Sequence, residues 1–76
     1  MDKIIEILRD IRPGIDWVTA EAIIDDGILD SFDMIALVSE LNEVFKVQIG
    51  LEHIEAENFN SVSAIAALLE ILGAIL

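Results

Sequence analysis

Seventy-six residues carry fifteen Asp and Glu against four Lys and Arg, a formal charge of −11, with 55% hydrophobic residues and no cysteine. That length makes one domain, residues 1–76, near the lower limit at which a core holds without staples, and the apolar content argues against disorder despite the charge. Disulfides and thiolate zinc sites are excluded, nucleic acid is disfavoured because phosphate binding needs Lys and Arg, and basic patches on partner proteins are the matching surface. The same acidity also keeps so apolar a chain in solution.

The first helix is expected from about Asp2 to Ile11. Asp2 can cap it; Ile4, Ile7, Leu8 and Ile11 share one face, and Lys3, Glu6 and Asp10 take the other. Arg12-Pro13-Gly14 ends it, because Pro13 disfavours helix in the residue before it and Gly14 eases the turn. A long connection to Asp30 follows. Its Ile15, Trp17, Val18, Ala22, Ile23, Ile24, Ile28 and Leu29 predict that it packs, with Trp17 as a lid on the bundle.

The chain is organised around Asp25-Asp26-Gly27-Ile28-Leu29-Asp30-Ser31-Phe32-Asp33-Met34-Ile35. Downstream, Met34, Val38, Leu41 and Phe45 recur at helical spacing with Leu37 and Val44 beside them, which predicts a helix with six apolar residues on one face. Asp30 is a good N-cap, and Asp33 three residues on makes an acidic variant of the capping box. Ser31 then falls in the first turn, where free N–H groups and the macrodipole favour negative charge such as a phosphate ester. Phe32 falls opposite Leu41, with Ala36 near it and Ile35 on the flank, so this helix offers apolar side chains to water next to a serine. Taken locally, a serine at a helix start is most often only a cap or a solvated residue.

After Phe45, Lys46 to Ile49 alternates and ends at Gly50, an extended link. Leu51 to Ala56 has room for a short helix with Leu51 and Ile54 inward and Glu52, His53 and Glu55 exposed. Glu57-Asn58-Phe59-Asn60 reads as a turn, and Asn60 or Ser61 caps the last helix. That helix has Val62, Ile65, Ala66, Leu69 and Leu72 as its core face, with Ala64, Ala67 and Ile71 behind, the alanines leaving room for an apolar guest. The tail, Gly73 to Leu76, has no obvious partner. The charged start Met1-Asp2-Lys3 is unlike a signal peptide, and the longest apolar stretch, Val62 to Leu76, is too short to span a bilayer, so the cytoplasm is the expected compartment.

The chemistry for an enzyme is missing. Ser31 has no evident base, His53 is the one histidine, and the carboxylates lack an apolar pocket to raise a pKa. Asp25, Asp26, Asp30 and Asp33 fail the EF-hand spacing, because Ile28 and Leu29 stand where ligands would alternate. No dedicated metal site is expected there, only loose Mg²⁺ or Ca²⁺ binding.

Gly27-Ile28-Leu29-Asp30-Ser31-Phe32-Asp33 resembles the modification motif of acyl carrier proteins, an Asp-Ser-Leu type tripeptide with Phe32 in the Leu position. The likeness runs on through Leu37-Val38-Ser39-Glu40-Leu41-Asn42-Glu43-Val44-Phe45 and the last helix near Asn60-Ser61-Val62, and so covers essentially the whole chain. It implies an all-α four-helix bundle of acyl-carrier-protein type, three longer helices and one short. It further implies a monomeric, non-catalytic carrier that receives 4′-phosphopantetheine on Ser31 from a phosphopantetheinyl transferase with Mg²⁺. The cargo would be an acyl or aminoacyl thioester in fatty-acid, polyketide, peptide or related biosynthesis, loaded and unloaded by acyl- or aminoacyl-transferring enzymes. By position, Asp30 and Asp33 would flank the modified serine, Phe32 and Ile35 would be apolar docking contacts, and Glu43 a charged one. Fatty-acid carriers commonly have acids at the positions of Ala36 and Asn42 and a bulkier apolar residue at Ser39. The departure leans toward a specialised stand-alone carrier, for D-alanine, another amino acid or a polyketide- or peptide-type product, whose partners dock more by apolar contact. The competing expectation is an acidic helical interaction module that works unmodified through Phe32.

Overall fold

Three helices of two turns or more and one single-turn helix hold the chain. The structure, a computed structural model, describes residues 2–75: α1 spans Asp2–Ile11, α2 Ser31–Phe45, α3 Ala56–Phe59 and α4 Val62–Ile71, with a 3₁₀ turn at Leu51–His53. Among the described residues there is no strand, so the chain is all-α and forms a small helical bundle. α1 buries Ile4, Ile7 and Leu8, one stripe at i, i+3 and i+4, with Asp2 in its first turn and Arg9 in its last to suit the macrodipole. It packs against both α2 and α4, and α3 packs against α4.

One apolar cluster forms the core. α2 gives it Leu37 and Leu41, α3 gives Phe59, and α4 gives Val62, Ile65, Ala66, Leu68 and Leu69. Trp17, Ile23, Leu29, Val47 and Ile49 come from the connections. Each large side chain buried this way contributes about 1.5–3 kcal/mol, so the connections stabilise the fold as the helices do. The expected six-residue face of α2 is narrower than the spacing suggests. Leu37 and Leu41 are fully buried, Val44 is exposed, and Met34, Val38 and Phe45 are half-buried: all three pack against the core, and Met34 and Val38 also border a groove.

The long connection packs as its composition predicts, with two corrections. Trp17 is an interior residue, not a lid, and its indole N–H donates to the Arg12 carbonyl at 3.2 Å, which satisfies a carbonyl left free at the end of α1. Val18 points to solvent. Residues 22–28 coil into a helical turn. Asp26 N–H donates to the Ala22 carbonyl, Gly27 N–H to Ile24 and Ile28 N–H to Ile23, with Gly27 at φ +67°. The last two bonds are a Schellman closure, which requires the left-handed backbone that glycine adopts freely. The same pair ends α4, Gly73 N–H to Glu70 and Ala74 N–H to Leu69, and Ala74 packs on the core. The tail therefore has a partner through Ala74; Leu76 lies outside the described residues.

The stretch between α2 and α4 differs most from expectation. Leu51 and Ile54 do not face inward: Leu51 is 88% exposed and Ile54 is also exposed. The turn stops at His53, where Nδ1 accepts from Gly50 N–H and the carbonyl accepts from Asn58 Nδ2. Helix forms one step later, at Ala56–Phe59, where a turn is predicted, because Phe59 is the large side chain that reaches the core, fully buried. α2 ends on Lys46 in the left-handed region, φ 57°, its N–H returned to the Asn42 carbonyl. Ser61 caps α4, its Oγ accepting from Ala64 N–H at 3.0 Å.

Candidate functional site

Asp30 enters α2 with extended backbone, φ −90° and ψ −175°. Its Oδ1 accepts from Asp33 N–H at 2.8 Å, and Asp33 Oδ2 accepts from Asp30 N–H at 3.3 Å, the reciprocal capping box read from the spacing. Ser31 is therefore the first helical residue of a fifteen-residue helix, and it is exposed. Phe32 is 83% and Ile35 68% exposed, and Glu43 is exposed on the same outer side of α2. At 1.5 Å rise per residue, Glu43 stands roughly 18 Å along the axis from Ser31.

Two residues the sequence reading used only as punctuation hold this site in place. Arg12 Nη2 lies 2.7 Å from Asp33 Oδ2, so the end of α1 is pinned to the first turn of α2. The Arg12 hydrogen bond holds the Asp33 carboxyl below its ordinary value; desolvation opposes this and the Asp30 N–H assists it. Asn60 fastens the other side. Its Oδ1 accepts from Ile24 N–H at 2.9 Å and Asp25 N–H at 3.2 Å, its Nδ2 donates to Asp25 Oδ2, and its own carbonyl accepts from Ile23 N–H. The turn that leads into Asp30 and Ser31 is clasped to the start of α4 by this one side chain.

Beside Ser31 lies an open groove of about 660 Å³ with Ile24, Leu29, Met34, Val38 and Ile54 along it and Ser31 at its rim. The α4 alanines do not line this groove, which lies between α2, the turn before it and the link after it. A second groove, about 550 Å³, lies by the far end of α2 among Lys3, Lys46 and Gly73–Ile75, away from the serine.

Asn42, which the resemblance reads as a lost docking charge, is half-buried, and its Oδ1 accepts from Ile49 N–H at 2.9 Å. It ties α2 to the following link, and an aspartate there would also have to serve as this acceptor. His53 is half-buried and not fully exposed as expected, with Nδ1 accepting from Gly50 N–H and Glu52 beside it. The acidic residues on either side of Ser31 do not converge on one point: Asp25 goes to Asn60 and Asp33 to Arg12. Among the described residues no three potential metal ligands come together, and no helix is long and apolar enough to cross a membrane. No protein-family model matches the sequence, and no curated protein matches it.

Proposed function

We propose that this chain is an acyl carrier protein, with Ser31 as the attachment point of 4′-phosphopantetheine. One observation carries the reading: an exposed serine is the first residue of a long helix and stands on the rim of an apolar groove. A phosphodiester there gains from the helix N-terminus, and of the two flanking carboxylates Asp33 is already paired with Arg12. The residues present fit the group.

In such a carrier the chain supplies a nucleophile and a docking face, and the partner supplies catalysis. The Ser31 hydroxyl attacks the phosphorus of coenzyme A that bears the pantetheine arm, the adenosine bisphosphate leaves, and the serine proton passes to a base of the transferase. Once attached, the group supplies the thiol on which acyl or aminoacyl cargo travels. Phe32 and Ile35 give partners an apolar contact and Glu43 a charged one, while the groove lining beside Ser31 suits an apolar cargo. A soluble cytoplasmic monomer in fatty-acid, polyketide, peptide or related biosynthesis is the proposed setting.

The exposure of Phe32 favours one other reading, an unmodified acidic module that binds partners through this face. Intact mass after incubation with coenzyme A, Mg²⁺ and a broad-specificity phosphopantetheinyl transferase separates the two. The carrier gains one phosphopantetheine, and Ser31→Ala, folded as before, gains none. A folded wild-type chain that gains nothing with several transferases overturns the carrier in favour of the module.

A further inference from the structure

We infer that Arg12 is a specificity-determining residue, an internal guanidinium that occupies the Asp33 carboxylate and competes with basic partners for it. The inference rests on the carrier reading and names a control on docking at that site. Among the described residues, Arg12–Asp33 is the one Lys or Arg pairing with a carboxylate within 4.0 Å, in a chain with four such cations and fifteen acids. It stands two residues from the serine. The Arg12 side chain is 45% exposed and Asp33 only 18%, so at the start of α2 the cation lies outermost. Both contacts of Asp33 fall on Oδ2, shared between the guanidinium and the Asp30 N–H. A partner Lys or Arg that seeks Asp33 meets a carboxylate already neutralised by Arg12, and must either displace the guanidinium from Oδ2 or share the carboxylate with it through Oδ1. Displacement leaves the Asp30 half of the capping box in place, because Asp30 Oδ1 still accepts from Asp33 N–H. The pair therefore lowers the negative potential beside Ser31 without being needed for helix entry. A partner relying on charge at that point is penalised, and one relying on Phe32 and Ile35 is not.

The test is steady-state transfer of phosphopantetheine from coenzyme A, with the chain as varied substrate, for wild type, Arg12→Gln, Asp33→Asn and the double variant. Arg9→Gln, three residues earlier in the last turn of α1, changes net charge equally while leaving the pair in place. Expected is a KM lowered about two- to fivefold in Arg12→Gln at low salt with kcat unchanged, the range set by an exposed ion pair. The effect fades as salt rises, is absent in the Asp33→Asn background, and is smaller in Arg9→Gln. A KM that is unchanged or raised in folded Arg12→Gln overturns the inference, and so does an equal drop when Asp33 is Asn. If Arg12→Gln loses the fold, Arg12→Lys carries the test, with a KM below wild type expected because the lysine keeps the charge but not the guanidinium fork; a KM at or above wild type refutes it. A wild-type chain that accepts no phosphopantetheine overturns the carrier reading, and the inference falls with it.

Discussion

Asn60→Ala should destabilise the fold by about 2 kcal/mol, a large effect for one polar side chain. The substitution removes two acceptor contacts and one donor contact at once. Ile24 N–H is partly buried and loses its partner, at about 1 kcal/mol; the exposed Asp25 groups regain water, so each of those bonds contributes only about 0.5 kcal/mol. Total stability for a chain of this size is about 4–11 kcal/mol, and the loss should lower Tm by about 8–16 °C. Urea titration followed by Trp17 fluorescence reads it, the midpoint falling with the slope unchanged. Asn60→Asp keeps both acceptor contacts and should lose less at high salt, where its repulsion with Asp25 is screened. In hydrogen exchange the Ile24 and Asp25 amides should lose protection in the alanine variant before the core of α4 does. An alanine variant within about 0.5 kcal/mol of wild type would refute the claim that this side chain clasps the turn before Ser31.

Lys46→Gly should stabilise by about 0.5–1 kcal/mol, since the left-handed backbone at φ 57° strains any side chain but not glycine; a lowered urea midpoint would count against it. Asp33 gives a pH signature. Its folded pKa lies below the unfolded value, so its contribution is complete above the unfolded value, about 3.9, and is lost as pH falls through the folded one. Tm measured from pH 6 downward, to below about pH 3, should therefore drop less steeply in Asp33→Asn than in wild type, and parallel acid limbs would show that the Arg12 pair does not contribute.

The three longer helices were legible because each carries its own local signal. α1 has a single apolar stripe and a Pro-Gly stop, α2 an Asp30/Asp33 capping box, and α4 a Ser61 cap, and the observed bounds agree with those features. Between α2 and α4 the local signal is ambiguous. Two candidate segments of three to six residues are too short for periodicity, and burial of Phe59, a tertiary event, decides which one coils. Arg12 and Asn60 were not legible in their roles, because their partners lie 21 and 35 residues away in sequence. Lys46 gave no warning either, for lysine carries no preference for a left-handed cap. Of the site, Phe32 and Ile35 stand on the outer face that the helical wheel assigns them, and Ser31, placed by the capping pattern, is exposed as well, whereas the groove depends on how the connection folds back.

The outward Phe32 and Ile35 have a colloidal consequence. An exposed apolar face is open to a second copy of the chain, and in dilute low-salt solution the −11 on each copy opposes that approach. Ionic strength then acts in opposite directions on two properties. Screening relieves repulsion within one molecule and favours its folded state, and over a Debye length of about 8 Å at physiological salt it also removes the barrier between molecules. The chain is thus most tightly folded under the conditions in which its copies are freest to meet, and the acidic surface sets the distance between those two thresholds.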